Sequence, residues 1–180
     1  MPPPIAAADE MMGQIRREIL QAPFASNDEL PSSSGAGCPS WHWGTPVHFR
    51  KGDRWGRLLV SGWSYPEAEL TWSDGPQAII EIEAPPARRD LLLRLSLSPF
   101  CPPGVAEQTI RISDQHRLIA LGVVPEPGEH TYLIPGASAA NGVLRLSLKF
   151  PAAISPYQAG LSDDHRILAI GLKTLTGYLL

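Results

Sequence analysis

Two segments of the sequence combine aromatic rings with charged side chains. They are GWSYPEAELTWSDG, residues 62–75, and SPYQAGLSDDHRILAIGL, residues 155–172. The faces of aromatic rings carry partial negative charge and stack on the C–H groups of sugars, while carboxylate and guanidinium groups form hydrogen bonds with hydroxyl groups. The pattern predicts a saccharide-binding surface with nine candidate residues, which are Trp63, Tyr65, Glu67, Trp72, Asp74, Tyr157, Asp163, Asp164 and Arg166.

The same residues allow a structural interpretation and a catalytic one. Trp63 and Trp72 flank strand starts, where large rings are usually buried between sheets. Asp164 and Arg166 can form an ion pair that holds a corner of the fold without any ligand. Glu67 with Asp164 could serve as a glycosidase pair, because such enzymes use two carboxyl groups at a defined separation. The residues favour binding or a structural role over catalysis.

No other motif indicates an enzyme or a cofactor. The sequence contains no GxSxG, P-loop, HExxH, or GxGxxG after a strand, which are the motifs of common hydrolases, nucleotide-binding proteins and metalloproteases. His42 and His48 are six residues apart and have no third ligand nearby, so we expect no transition metal. Calcium is the one candidate ion, with Asp163 and Asp164 as oxygen ligands.

Composition limits the classes of partner. A chain of 180 residues supports one domain with a tail. The net charge of -3 and the absence of a basic stripe argue against nucleic acid. Cys38 and Cys101 lie outside any CxxC pattern, so we expect free thiols in a reducing compartment. We also expect no secretory signal and no integral membrane segment, because the N-terminus lacks a basic stretch followed by an apolar run.

The N-terminal region is predicted to be distinct from the remainder. Residues 1–22 are expected to form a tail with one amphipathic helix over residues 8–21, which Pro23 ends. Residues 23–54 have the Pro, Gly and Ser content of a linker. The helix carries an apolar face suited to docking in the groove of a partner, made by Met11, Met12, Ile15 and Ile19.

From residue 55 onward the apolar residues alternate with a period of two. QAIIEIE (77–83), LLLRLSLS (91–98) and GVLRLSLKF (142–150) each place apolar side chains on one face and polar side chains on the other. Five shorter segments follow the same rule. Residues 55–180 are therefore predicted to form an all-β domain, an antiparallel two-sheet β-sandwich of about eight strands resembling a jelly roll. In such a sandwich the two acidic turns, at residues 74–75 and 163–164, are expected at the same end.

The sequence resembles a β-sandwich module that is attached to, or encoded near, bacterial glycosyltransferases that build capsules and exopolysaccharides. GWSYPEAELTWSDGPQAIIEIE is similar to the pattern G-[WF]-x-x-x-E followed by a W-[ST]-x-G turn and a strand. SPYQAGLSDDHRILAIGLKTL is similar to S-P-x-x-x-G-x-S-x-D-x-R-x-L-x-I-x-L. The resemblance covers residues 57–176. It carries over ten motif positions, which are Trp63, Glu67, Trp72, Gly75, Ser155, Pro156, Gly160, Ser162, Asp164 and Arg166.

The resemblance implies a non-catalytic accessory protein of bacterial surface-polysaccharide biosynthesis that binds saccharide through its sandwich. The alternative is an adaptor that docks a glycosyltransferase through the N-terminal helix, and a weaker alternative is a glycan-active enzyme that uses Glu67 and Asp164. The expected partners are a saccharide or a glycosyltransferase, with a second copy of the chain if the helix dimerises. The expected location is the cytoplasm, at the periphery of a membrane-bound polysaccharide synthesis complex.

Overall fold

The computed structural model describes residues 41–114 and 117–180. Within these two ranges the chain forms ten strands and three short 3₁₀ turns, which span Arg54–Leu58, Pro86–Arg88 and Gly136–Ser138. The strands are β1 (Val47–His48), β2 (Leu59–Ser61), β3 (Thr71–Trp72), β4 (Gln77–Glu83), β5 (Leu91–Pro99), β6 (Gln108–Ser113), β7 (Leu118–Val124), β8 (Gly128–Ile134), β9 (Val143–Lys149) and β10 (Ile170–Leu179). No helix of the described residues is long and apolar enough to cross a membrane.

The strands form two antiparallel sheets. The first has the order β1-β10-β5-β8, and β3 also pairs with β10. The second has the order β2-β4-β9-β6-β7. Few neighbours in the sheets follow one another in the sequence, so the long connections cross between the sheets at their ends. The predicted fold class, an antiparallel two-sheet β-sandwich, is confirmed.

Alternation of apolar and polar residues explains why these segments form half-buried strands. In β4, Ala78, Ile80 and Ile82 are buried, whereas Glu83 is exposed and Glu81 is half-buried. Each large apolar side chain moved out of water stabilises the fold by ~1.5–3 kcal/mol. Both sheets direct such residues inward, and they form one core. Its members include Val47, Phe49, Leu58, Ile80, Ile82, Leu91, Leu93, Leu95, Leu97, Ile110, Ile112, Val124, Ile134, Leu144, Leu146, Leu148, Phe150, Leu172 and Leu175.

The sandwich begins upstream of its predicted start at Trp55. Val47 and His48 form β1 and pair with Leu175 and Thr174 of β10. Trp41, Val47 and Phe49 are buried in the core. The assignment of residues 41–54 to a linker is therefore wrong. The segment has the proline and glycine content of a linker, but it also contains a two-residue strand whose partner is distant in sequence.

The predicted N-terminal helix, its docking residues Met11, Met12, Ile15 and Ile19, and residues 23–40 of the predicted linker lie outside the described residues. They stay predictions. Gln115 and His116, between β6 and β7, also lie outside the described ranges, but the antiparallel pairing of the two flanking strands is present.

Candidate functional site

The two acidic segments meet at one end of the sandwich, as the sequence predicted. Ser73 is buried, and its Oγ accepts hydrogen bonds from the backbone N–H groups of Ala169 and Ile170, both at 3.1 Å. Asp74 Oδ1 accepts a hydrogen bond from Ile167 N at 3.0 Å, and Gly75 N donates to Ile167 O at 2.8 Å. These bonds join residues about 95 positions apart in the sequence. We call the surface formed by residues 62–75 and 155–167 the acidic rim.

Arg166 lies at the centre of the acidic rim and contacts both segments. Its Nε and Nη2 donate to the carboxylate of Asp164, with the shortest N–O distance at 2.7 Å. Its Nη1 donates to Ser64 Oγ at 2.9 Å and to Glu67 Oε1 at 3.0 Å. Four of the five N–H groups of the planar guanidinium therefore have an acceptor within the protein. The predicted Asp164–Arg166 pair is present, and Glu67 joins it.

The charges in this cluster stabilise one another. Hydrogen bonds from the Arg166 side chain and backbone lower the pKa of the Asp164 carboxyl below its usual range. The hydrogen bond from Arg166 to Asp164 raises the pKa of the guanidinium in turn. Both groups therefore stay charged at neutral pH. Asp164 is an acceptor there and is not a proton donor.

Two exposed tyrosines flank the cluster. The Tyr65 side chain is 68% exposed, and its ring lies under the Arg166 guanidinium with 5.2 Å from Cζ to the ring centroid. Tyr157 is 55% exposed, and its ring stacks on His165 with 4.2 Å between centroids. Because more than half of each tyrosine is open to solvent, each ring keeps surface that a ligand can contact.

The two tryptophans have a different role from the tyrosines. Trp63 is half-buried against the core, and its Nε1 donates to Ile79 O at 3.0 Å. Trp72 is half-buried in β3 and meets Phe100 edge to face, with 6.4 Å between ring centroids. Of the two interpretations that the sequence left open, the geometry favours packing for both indoles. The exposed aromatic surface of the acidic rim comes from tyrosine.

Hydrogen bonds within residues 155–164 hold the loop before Arg166 in place. Buried Ser155 accepts a hydrogen bond from Gln158 N at 3.0 Å through its Oγ, and Tyr157 N donates to Asp164 O at 2.9 Å. The second bond brings Tyr157 next to residues 164–166. Asp163 is exposed at the tip of this loop. Asp74 is exposed as well, but one of its oxygens already accepts the Ile167 N–H.

Two residues of the acidic rim, Ser64 and His165, were missed by sequence reasoning. Ser64 accepts a bond from Arg166, and His165 supports the ring of Tyr157. His165 lies between two predicted site residues, Asp164 and Arg166, so its place in the sequence could have indicated it. Ser64 carries no such signal, because its contact depends on a partner 102 residues away.

The described part of the chain contains no group of three or more His, Cys, Asp or Glu residues that could hold a metal ion. Two cavities lie elsewhere on the surface. One is lined by Pro76, Arg111, Lys149, Phe150, Pro151 and Ala153, and the other by Ala84, Pro85, Ala87, Arg88, Ala139, Asn141 and Gly142. Neither includes a predicted site residue.

No protein-family model matches this chain, and no curated protein matches it. Two solved structures are similar in part. One is a family GH115 4-O-methyl-α-glucuronidase with specificity for decorated arabinogalactans, at 11% identity and a TM-score of 0.44, covering 84% of this chain and 20% of that chain. The other is a CBM4 structure, at 10% identity and a TM-score of 0.39, covering 75% of this chain and 86% of that chain. This chain thus spans about a fifth of the glucuronidase.

Proposed function

We propose that this protein binds saccharide at the acidic rim and does not cleave it. The observation that carries the proposal is the pair of exposed rings, Tyr65 against Arg166 and Tyr157 against His165, beside one cluster of hydrogen-bonded charged groups. Each ring is supported by a neighbour that holds its position, so little conformational entropy is lost when a sugar stacks on it. A pyranose ring offers C–H groups to the tyrosine faces and hydroxyl groups to the carboxylates.

The charge of the acidic rim favours neutral sugars. Asp74, Asp163 and Asp164 lie there with Glu67 and Glu69, against the single guanidinium of Arg166. Arg166 already donates to Asp164 and Glu67, so it offers little to an added anion. Glu67 uses Oε1 for Arg166, and Oε2 forms no hydrogen bond with the described residues. This oxygen can accept a hydrogen bond from a sugar hydroxyl.

The same geometry favours binding over catalysis. A glycosidase needs a carboxyl group that holds its proton near neutral pH, which requires a raised pKa. The pKa of Asp164 is lowered because Arg166 donates to both of its oxygens. This lowered pKa argues against Asp164 as the general acid. We propose a non-catalytic role on this basis.

We further propose that the protein accompanies enzymes of bacterial surface-polysaccharide synthesis. The support is the resemblance of residues 57–176 to sandwich modules found with such glycosyltransferases. Glu67, Asp164 and Arg166 are motif positions in that resemblance, and here they contact one another. The saccharide would then be the growing polymer or a fragment of it, and a glycosyltransferase would be the partner.

A glycan array tests the binding proposal directly. We expect the native chain to bind neutral oligosaccharides, and Tyr65→Ala or Tyr157→Ala to weaken binding about two- to twelvefold. This range follows from ~0.5–1.5 kcal/mol per ring contact, at about 1.4 kcal/mol per tenfold change. The double variant should lose detectable binding while its circular dichroism and melting temperature remain native-like, because both side chains are exposed.

Tyr178→Ala is the matched control. Tyr178 lies on β10 and stacks under Arg94, outside the acidic rim. Its removal should leave glycan binding unchanged. The proposal is wrong if the folded native chain binds no glycan on an array that includes exopolysaccharide fragments, or if the double tyrosine variant binds as tightly as the native chain.

A further inference from the structure

Two cations face each other on the outer surface of the second sheet. Arg111 of β6 and Lys149 of β9 are direct register partners in antiparallel strands, and both side chains are exposed. Residues in such positions have Cβ atoms ~4.5–5.5 Å apart, and like charges there are destabilising. The same sheet shows the usual arrangement at Glu81 and Arg145, which are also register partners and form an ion pair.

No carboxylate of the described residues compensates these two cations. None of the ion pairs found there includes Arg111 or Lys149. The third residue in the same row is Gln77, which pairs with Lys149 and is neutral. Neither cation is held in an ion pair by the described residues, so an anion placed between them would gain contacts with both.

The two cations also line a cavity with an apolar lining. Pro76, Phe150, Pro151 and Ala153 complete its wall, and none of the lining residues is acidic. Its volume is about 260 Å³, and it is shallow and open to solvent. This space suits one small organic group, with an anionic substituent between the cations and C–H groups against the proline rings.

The cavity and the acidic rim share one turn of the chain. Asp74 and Gly75 bond to Ile167 of the acidic rim, and the next residue, Pro76, lines the cavity. Pro76 O accepts a hydrogen bond from Phe150 N at 2.8 Å, which holds the cavity wall against this turn. The acidic rim and the cavity are therefore joined through residues 74–76.

We propose that Arg111, Lys149 and this cavity form a binding site for an oxyanion group, such as the carboxylate of a uronic acid. Arg111 offers paired N–H donors and Lys149 a compact ammonium group, and both bind oxyanions through charge-assisted hydrogen bonds. The site is distinct from the acidic rim in charge and in residues. Placing the acidic sugar and the neutral sugars on one polymer rests on the proposed function, whereas the anion site itself does not.

Titration of the ¹⁵N-labelled full chain with separate anions tests the site. The probes are sodium glucuronate, inorganic phosphate, inorganic sulfate and, as the uncharged comparison, methyl glucoside. We expect at least one anion to shift the amide signals of Lys149, Phe150 and Ala153, and to bind more weakly as salt is added. Arg111→Gln and Lys149→Gln should each weaken binding by about two- to fivefold, the range for exposed ion contacts, and the double variant by about four- to twenty-fivefold if the two effects add.

Arg145→Gln is the matched control, because it removes the same charge from the same face of the sheet at a residue paired with Glu81. It should leave anion binding unchanged. Tightest binding of glucuronate would assign the ligand as an acidic sugar, and tighter binding of phosphate or sulfate would assign an inorganic anion or its ester. The site is refuted if no anion shifts these amides, or if the double variant binds like the native chain.

The two proposals fail separately. Tyr65→Ala with Tyr157→Ala should leave the anion titration unchanged, and the double variant at Arg111 and Lys149 should leave neutral glycan binding unchanged. Neutral glycan binding without any anion binding would refute only the anion site. Anion binding without any glycan binding would refute only the proposed function.

Discussion

At the scale of single residues, Arg166 connects parts of the chain that are far apart in sequence. It bonds Asp164 two positions away, and also Ser64, which lies 102 positions away. The Asp164–Arg166 pair could be predicted from the sequence because it is local. The contacts with Ser64 and Glu67 could not, because they depend on how the strand ends are placed. The sequence also left open whether Trp63 and Trp72 are exposed binding rings or packed side chains, and both are half-buried.

Tyr132 has a buried hydroxyl group without a hydrogen-bond partner among the described residues. The residue is 7% exposed. We expect Tyr132→Phe to raise the free energy of unfolding by about 1 kcal/mol, because it removes an unsatisfied buried group. Urea denaturation at pH 8 measures this change.

The same residue predicts a loss of stability in alkali. Burial raises the pKa of Tyr132 to about 12, above the value of about 10 for an exposed tyrosine. Because the neutral form is favoured in the folded chain, its contribution to the free energy of unfolding is fully present below about pH 10 and falls as the pH rises towards 12. Tyr132→Phe should lack this part of the decline. Tyr178→Phe is the control, because the Tyr178 hydroxyl accepts a hydrogen bond from Arg94. Removal of this hydroxyl should not raise the free energy of unfolding. Lower stability of Tyr132→Phe than of the native chain at pH 8 would contradict the prediction.

At the scale of elements, the long strands follow from sequence and the short ones do not. β4 has the bounds that alternation predicted. β1 and β3 contain two residues each, and both pair with β10. Two residues carry no detectable period, so only their partner strand identifies them. The register that sets Arg111 opposite Lys149 is also absent from local sequence, since each residue alone is an ordinary outward cation.

Gly62 lets the acidic rim approach β4. Its φ is +72°, and a Cβ there would lie 2.0 Å from the backbone oxygen of Gln77. We expect Gly62→Ala to cost about 2–4 kcal/mol of unfolding free energy, because the contact atom belongs to a strand and cannot move aside. Chemical denaturation measures the loss.

Gly142→Ala separates backbone strain from this steric clash. Gly142 has a similar φ of +78°, but no atom lies within 4 Å of a Cβ placed there. Its substitution should cost only ~1–2 kcal/mol, the strain of a left-handed alanine. Equal losses for the two variants would mean that the Gln77 contact contributes nothing.

At the scale of the whole molecule, net charge conceals the arrangement of charge. The value of -3 does not reveal an acidic rim and, beyond one turn of the chain, two cations that form no ion pair with the described residues. Both surfaces come from outward residues of strands and loops whose neighbours are chosen by the topology.

Calcium remains a testable proposal for the acidic rim, and its test is a property of the whole chain. Both oxygens of Asp164 accept hydrogen bonds from Arg166, so a cation would have to displace the guanidinium. We therefore expect 5 mM CaCl₂ to leave the melting temperature unchanged relative to EDTA. This concentration exceeds even the weakest dissociation constants of extracellular calcium modules. Magnesium chloride is the control for ionic effects. A rise with calcium that Asp164→Asn removes would establish a calcium site, because a ligand that binds only the folded chain raises its apparent stability.

By itself, the sequence determined the all-β class and the inward faces of the long strands. The reason is that burial of every second residue is a local constraint that composition and period record directly. Only the tertiary structure decided that the tyrosines and not the tryptophans are the open rings, that Glu67 shares Arg166 with Asp164, and that Arg111 faces Lys149. These features depend on cross-strand register and on contacts between residues far apart in the chain, which no local pattern encodes.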